Sequence, residues 1–229
     1  MVSHAYPLTQ REISVQTGIP AASCYRILNS LLAAGLVAHD PLRSRAYCVG
    51  HRIFQMASCL YGRQRVLPFF YPVAEILRNE TQLPVLLSSQ IGADVVVVAK
   101  TAPPGKEGGF QIGQAQRMGE AAAGLAMLSC WPEPQWRHYL SGSPAPDAGT
   151  AGTDGWQPVL HRAAKLGYAV VGGGHPANSL SMAAPVLDLM QQPVAAISLC
   201  LPLALREAEI RAYSAPLIQA ARQLSSRLG

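Results

Sequence analysis

The sequence of 229 residues predicts an α+β protein built in two parts. Two short helices and a β-hairpin are predicted within the first fifty residues. After residue 68, strand hairpins interleaved with helices predict a larger α+β domain. We expect its sheet to be covered by helices on one side and by loops on the other, with a ligand-sized cleft under the loops.

The positive charge of the chain is concentrated in the first part. Residues 1 to 66 hold seven arginines and two acidic residues, so they carry the whole formal charge of +5, and the remainder is neutral. A basic module attached to a neutral one is the electrostatic pattern of nucleic-acid binding.

The first two helices have local start and stop signals. Thr9 and Glu12 have the spacing of a capping box, which predicts a helix from residue 9 to Thr17. A Gly-Ile-Pro turn follows, and a second helix is predicted from about residue 20 to residue 34.

The second helix has two chemically different faces. At 100° per residue its apolar face holds Cys24, Ile27, Leu28 and Leu31. The opposite face holds Ala22, Arg26, Asn29 and Ala33, flanked by Ser23 and Ser30. Small residues allow close approach and arginine bonds guanine or phosphate, so this face suits the major groove of DNA.

A predicted hairpin completes a winged helix-turn-helix outline. Its strands span residues 36–39 and 46–49, and Arg43 and Arg45 lie in the turn between them. The predicted DNA-binding residues are Ala22, Ser23, Tyr25, Arg26, Asn29, Arg43, Ser44 and Arg45. The alternative is an ordinary amphipathic helix pair beside a hairpin with solvated arginines.

Several functional classes lack support in the sequence. No apolar run approaches the roughly 18 to 20 residues of a membrane span, and the N-terminus has no signal core, so a cytoplasmic protein is expected. The five cysteines lack zinc-site spacing and are expected to be reduced, so no metal is predicted. Because no catalytic motif or convincing nucleotide fingerprint is found, we predict neither an enzyme nor a cofactor.

The remaining elements alternate between helices and strands. A linker helix is predicted at 51–61, with a domain boundary near Pro68. Further helices are predicted at 70–80, 120–130, 131–140, 156–166 and 206–228. Strands are predicted at 84–90, 94–100, 110–112, 168–171, 180–187 and 193–201. The valine-rich strand at 94–100 is expected to be buried on both faces, and 141–155 to form a mobile loop.

The order of these segments resembles the IclR family of bacterial transcription regulators. The N-terminal matches are Leu8–Ile13, Thr17–Pro20, Ser23, Arg26–Leu28, Leu31, Ala34–Val37 and Tyr47–Gly50. The later matches are Ala122–Leu128, Gly167–Val170, Ala183–Val186, Ala195–Ser198 and the C-terminal Ala220–Gly229. Each motif is modest alone, but their order covers essentially the whole chain.

The resemblance implies a winged helix-turn-helix at 1–50, a linker helix at 51–67 and a GAF-like effector-binding domain at 68–229. It also implies operator DNA as a partner, assembly as dimers or dimers of dimers, and a small organic effector. By matching position, the expected effector-binding residues are Ala122, Ala123, Gly124, His175, Ser181, Ser198 and Cys200. Plain packing is the alternative role for each of them.

Three departures from the family pattern modify this expectation. From the few residues before Leu8, we expect most of the first helix of the DNA-binding domain to be missing. This expectation motivates an alternative function as a small-molecule-binding module or enzyme that no longer binds DNA. Leu125 replaces the usual lysine of a Gly-Lys-Ala motif, and no acidic run follows Tyr168. These replacements favour a less polar or aromatic effector.

Overall fold

The computed structural model describes residues 7–61, 65–107, 109–140, 155–172 and 179–228. The chain divides into two compact units, residues 1–64 and residues 65–229. The division falls within the predicted linker at 51–67.

The first unit is a winged helix-turn-helix. Its elements are β1 (Leu8–Thr9), α1 (Gln10–Thr17), α2 (Ala21–Ala33), β2 (Val37–His39), β3 (Ala46–Val49) and α3 (His51–Tyr61). The three strands form an antiparallel sheet in the order β1-β3-β2. The predicted hairpin therefore gains a third strand, since Leu8 lies opposite Tyr47.

Hydrogen bonds fix the two helices of this unit. Thr9 and Glu12 form the predicted capping box at the start of α1. Gly18 has a φ of 70°, the left-handed conformation that ends α1 and favours glycine. The side-chain amide of Gln10 then donates to the carbonyl of Ala21 at 2.9 Å, which connects the starts of the two helices.

The core of the first unit includes only part of the predicted apolar face of α2. Cys24 and Leu28 are buried against Tyr47, as an apolar helix face requires. Ile27 is instead 46% exposed, and Leu32 packs against the core. At 100° per residue Ile27 lies 60° to one side of Cys24, which places it at the rim of the narrow buried stripe.

The second unit is built on a six-stranded antiparallel sheet in the order β6-β5-β4-β9-β8-β7. Its strands are β4 (Val85–Ile91), β5 (Asp94–Thr101), β6 (Ala115–Arg117), β7 (Ala169–Gly172), β8 (Ser179–Leu187) and β9 (Pro193–Pro202). Its helices are α4 (Leu67–Thr81), α5 (Ala122–Leu128), α6 (Glu133–Leu140), α7 (Trp156–Leu166), α8 (Glu207–Ala212) and α9 (Ser214–Ser225). Pro68 lies in the first turn of α4, which begins three residues before the predicted start at residue 70.

The two faces of this sheet are covered differently. Helices α4 and α9 cover one face and form the larger core with it. Helix α5 covers part of the other face, where it packs on β8 and β9. The segment 102–114, which is described except for residue 108, places Phe110 on Leu86 and Val97. A helix and a loop therefore cover the face that was expected to carry loops alone.

Two strand predictions were wrong. The valine run of β5 alternates between buried and half-buried residues instead of being buried throughout. A β-bulge also interrupts its pairing with β4. The third strand forms at Ala115–Arg117 and not at 110–112. Gly113, with a φ of 87°, lies in the turn that precedes it, and its N–H donates to the carbonyl of Val97 at 2.8 Å.

The C-terminal segment forms two helices instead of the single helix predicted. Helix α8 ends at Ala212, and α9 begins at Ser214. Pro216 has no N–H to donate to the carbonyl of Ala212, and its ring crowds that carbonyl, which explains the break. The predicted loop at 141–155 lies almost entirely outside the described residues.

None of the helices in the described ranges combines the length and the apolar character that a membrane crossing requires.

Candidate nucleic-acid interface and ligand cavity

Helix α2 presents the predicted DNA-binding face to solvent. Only Cys24 and Leu28 are buried in this helix. The predicted contact residues on it are all exposed, namely Ala22, Ser23, Tyr25, Arg26 and Asn29. On a 3.6-residue turn Ala22, Arg26 and Asn29 lie within a 60° sector, and Tyr25 borders them. The helix therefore offers one cation, polar groups and little bulk to a groove.

The wing is a turn organised by one carboxylate. Asp40 accepts hydrogen bonds from the backbone N–H groups of Leu42, at 3.0 Å, and Arg43, at 2.6 Å. Ser44 and Arg45 follow at the exposed tip, where Arg45 adopts a φ of 56°. This turn holds the Arg45 guanidinium at the end of the hairpin, where a phosphate could approach it.

Arg43 occupies a different environment from the one expected for a phosphate-binding residue. Its guanidinium donates to Glu12 Oε1 at 2.7 Å and to the carbonyl of Pro7. Arg43 thereby ties the wing to the start of α1, and it is better described as a positioning residue for the wing.

Glu12 collects several donors at this junction. The N–H of Thr9 donates to its carboxylate at 2.7 Å, and Arg43 binds the other oxygen. The backbone bond from Thr9, followed by the bond from Arg43, lowers the pKa of Glu12 to about 2. Glu12 is therefore ionised throughout the neutral and mildly acidic range.

Arg11 of this unit was not among the predicted contacts. An open groove of about 550 Å³ runs between α1, the start of α2 and the sheet, and both Arg11 and Arg45 line it. Arg11 is exposed on the first turn of α1. The excess of arginine in the first part of the chain was the available signal, although it could not single out this residue.

The second unit encloses a small cavity on the face of the sheet that α5 and the 102–114 segment cover. Its volume is about 20 Å³, which suffices for about one water molecule. Its lining residues are Leu86, Ser88, Val95, Val97, Phe110, Gln116, Ala121, Ala122, Ala123, Ser181 and Ser198. A larger ligand can enter only if part of this lining moves.

The structure brings four of the predicted effector-binding residues together. Ala122, Ala123, Ser181 and Ser198 all line this cavity. The two serines lie on neighbouring strands, and the side chain of Ser198 is 5% exposed. The cavity therefore combines hydroxyl groups with an apolar wall.

Of the other three predicted residues, Gly124 and Cys200 are not part of this lining. A Cβ atom built on Gly124 would lie 2.1 Å from the carbonyl oxygen of Met118, so this glycine permits close helix packing instead. Cys200 packs beside the cavity with Phe110, and burial raises its pKa to about 11. His175 lies outside the described residues.

Sequence reasoning missed the polar residues that β4 and β6 contribute. Ser88 is buried on the cavity side of β4, and Gln116 of β6 lines the same cavity. The two-residue alternation of β4 could have placed Leu86 and Ser88 on one face. No sequence signal identified Gln116 or Phe110. The predicted strand at 110–112, which contains Phe110, does not form, and the strand that contains Gln116 was not predicted.

Within the described ranges, no three histidine, cysteine, aspartate or glutamate side chains converge in a way that could hold an ion.

Family models match both units of the chain. The model described as the C-terminal part of the bacterial transcriptional regulator IclR matches residues 61–226, which is most of the chain. The model described as the sugar-specific transcriptional regulator TrmB matches residues 2–51. No match was found among curated proteins.

Solved structures with a similar fold cover nearly the whole chain. The Thermotoga maritima IclR is 20% identical, with 100% of this chain and 94% of that chain covered and a TM-score of 0.73. A transcriptional regulator of the same type from Alicyclobacillus acidocaldarius is 21% identical, with 99% and 93% covered and a TM-score of 0.73. An IclR homolog from Microbacterium hydrocarbonoxydans, solved in complex with 4-hydroxybenzoate, is 17% identical, with 96% and 90% covered and a TM-score of 0.73. At these identities the structures establish the shared fold.

Proposed function

We propose how the residues of this chain bind DNA and an effector. The chain belongs to the IclR family, so it is a transcription regulator with an N-terminal helix-turn-helix and a C-terminal effector domain. In this proposal, α2 enters the major groove of an operator and the wing contacts the flanking phosphates. A small organic molecule in the cavity of the second unit changes the affinity for DNA.

The exposed face of α2 is the observation that carries the DNA-binding assignment. Arg26 is the cation within the 60° sector, so we assign to it the contact with a base edge or a phosphate. Ser23, Tyr25 and Asn29 supply further polar contacts, and Ala22 permits close approach. Ser44 and Arg45 bind phosphates from the wing tip, while Arg43 positions them.

Binding to the DNA upstream of the protein's own gene tests this assignment. Fluorescence anisotropy should detect salt-sensitive binding, and Arg26→Ala should weaken it by about tenfold or more, as the loss of a bidentate base contact does. Arg162→Ala removes an exposed arginine from the second unit and serves as the control of equal charge change. Equal affinities of Arg26→Ala and Arg162→Ala would contradict the assignment. The absence of any salt-sensitive binding would favour a module that does not bind DNA.

The cavity supports the effector assignment. It holds three serine hydroxyls and the amide of Gln116 beside an apolar wall, which is the lining of a small-ligand site. A relative with this fold was solved with 4-hydroxybenzoate, so a small organic effector is proposed for this chain as well. We infer a binding role and not catalysis, because no nucleophile and base pair has been identified there.

A thermal-shift screen of aliphatic and aromatic acids, including 4-hydroxybenzoate, tests the effector site. A compound that raises the melting temperature of the wild-type chain should do so less for Ser198→Ala, because a buried hydroxyl that bonds the ligand is lost. The same compound should change the affinity for DNA. A stabilising compound that acts equally on both proteins would place the effector elsewhere.

Homodimerisation through α3 is part of the proposal. Ile53, Phe54 and Met56 are exposed on this helix, and Phe54 is 70% exposed. Large exposed apolar side chains on one helix favour burial against a second copy. Light scattering should give the mass of a dimer for the wild type and the mass of a monomer for Phe54→Ser. The assembled regulator is expected to act in the cytoplasm, where its operator lies.

A further inference from the structure

Lys100 and Phe110 lie on the face of the sheet that forms the effector cavity, beside the residues already described. Cross-strand pairing places Ser198 of β9, Leu86 of β4 and Lys100 of β5 in one row across the sheet. Directly paired residues point to the same face, so all three side chains belong to the cavity face. Lys100 starts about 10 Å from Ser198, since neighbouring strands are about 4.8 Å apart.

Phe110 covers the middle of this row. Its ring packs on Leu86, Val97 and Cys200, and its side chain is only 3% exposed. The cavity beyond it has room for about one water molecule. The phenyl ring therefore fills the space that separates the serine end of the site from the lysine end.

Backbone carbonyls of the covering segment hold the ammonium group of Lys100. Its Nζ donates to the carbonyl of Phe110 at 2.9 Å and also to the carbonyl of Glu107. The same segment thus supplies both the ring that fills the site and acceptors for its cation. If the segment moves away, the ring and these two carbonyl acceptors leave together.

We propose, on the basis of the effector site described above, that the effector is a small aromatic carboxylate that displaces Phe110 and binds Lys100. The aromatic ring of the effector takes the position of the phenyl ring on Leu86 and Val97. Its carboxylate replaces the backbone carbonyls as the acceptor for Lys100. Ser198 lies at the opposite end of the row and bonds a polar substituent, if one is present.

The chemistry of the exchange explains the preference for a carboxylate over a neutral group. A charged acceptor forms a stronger hydrogen bond with an ammonium group than a neutral carbonyl does. An apolar wall of leucine and valine favours a ring over a hydrated small acid. Displacement of Phe110 makes binding weaker than the contacts alone allow, so the site responds only to a molecule that satisfies both requirements.

Calorimetric titration of the full chain with benzoate, benzamide and acetate tests the proposal. Wild type should bind benzoate more tightly than benzamide, and acetate more weakly than either. Phe110→Ala should bind benzoate about tenfold more tightly, because the ring no longer has to be displaced. Lys100→Met should reduce the preference for benzoate over benzamide by about tenfold to a hundredfold, the range expected for loss of a charge-assisted hydrogen bond.

Lys106→Met is the matched control for Lys100→Met. Lys106 belongs to the same segment, but its ammonium group donates to the carbonyl of Gln82 on an exposed surface. The preference for benzoate should survive this change. The measured quantity is the ratio of the benzoate and benzamide affinities of one protein. A loosened segment in Lys100→Met would change both affinities alike, so it would not produce the expected change in this ratio.

Three outcomes would overturn the proposal. These are an unchanged benzoate preference in Lys100→Met, weaker benzoate binding by folded Phe110→Ala, and no benzoate binding by either wild type or Phe110→Ala. None of these outcomes bears on the DNA-binding experiments with Arg26→Ala. The assignment of the chain as a DNA-binding regulator is therefore tested independently of this proposal.

Discussion

Removal of the Arg45 side chain should change the salt dependence of DNA binding in a calculable way. Arg45 lies exposed at the wing tip, and no ion pair involves it in the described part of the chain. Each phosphate contact contributes about 0.9 to the slope of log affinity against log salt concentration. Arg45→Ala should therefore lower the slope by about 0.9 for each copy of the chain bound. At 0.1 M salt this corresponds to roughly eightfold weaker binding per copy.

Arg43 provides the comparison within the same turn. Its guanidinium is engaged by Glu12 and by the carbonyl of Pro7, so it has less capacity to release counterions from DNA. Arg43→Ala should change the slope by clearly less than Arg45→Ala, and its main effect should be a less ordered wing. Arg45→Lys keeps the charge and should retain most of the slope.

Anisotropy titrations between 50 and 300 mM salt measure all four proteins. The sequence alone treats Arg43 and Arg45 as equivalent, so the comparison tests the structural distinction between them. An unchanged slope in Arg45→Ala would refute the assignment of the wing tip to phosphate. A larger change in folded Arg43→Ala than in Arg45→Ala would refute the positioning role of Arg43.

Three further predictions follow from the packing and the ionisation states. Gly124→Ala should lower the free energy of unfolding by about 3 kcal/mol in urea titrations, because a backbone carbonyl blocks the added methyl group. In the control Gly92→Ala, the added methyl group meets no atom within 4 Å, so only the positive φ of residue 92 should lower the free energy of unfolding, by about 1–2 kcal/mol. Because the pKa of folded Glu12 is lowered to about 2, its contribution to stability should be complete above about pH 4.5 and lost as the pH falls towards 2. Glu12→Gln should remove this part of the acid sensitivity. Identical profiles of stability against pH for the wild type and Glu12→Gln would contradict the prediction. Burial raises the pKa of Cys200 to about 11, so iodoacetamide at pH 8 should leave it unmodified in mass spectra, while Phe110→Ala should allow its alkylation.

Local sequence signals determined much of the first unit. The capping box of Thr9 and Glu12, the left-handed Gly18 and the two strands of the wing depend on contacts within a few residues, and all are present in the structure. The class of the second unit was predictable in the same way, since hairpins and helices alternate along the chain. The Pro216 break in the C-terminal segment also had a local cause, although the apolar periodicity concealed it.

The environments of individual side chains depended on distant partners. Arg43 and Arg45 are two residues apart, yet only the approach of α1 places Glu12 against the first of them. In α2, Leu32 rather than Ile27 packs on the core, because the position of the sheet decides which rim of the helix is covered. Periodicity cannot supply this information when both rims are apolar.

The sequence by itself determined the architecture and the family, and it predicted a DNA-binding face on α2. It also indicated Ala122, Ser181 and Ser198 as residues of a ligand site, through their matched positions. Only the tertiary structure placed Phe110 in the lining of that cavity and Lys100 in the same cross-strand row as Ser198. They come from a strand altered by a β-bulge and from a segment without regular structure. Such contacts are fixed by sheet register and chain crossing, which a linear pattern does not encode.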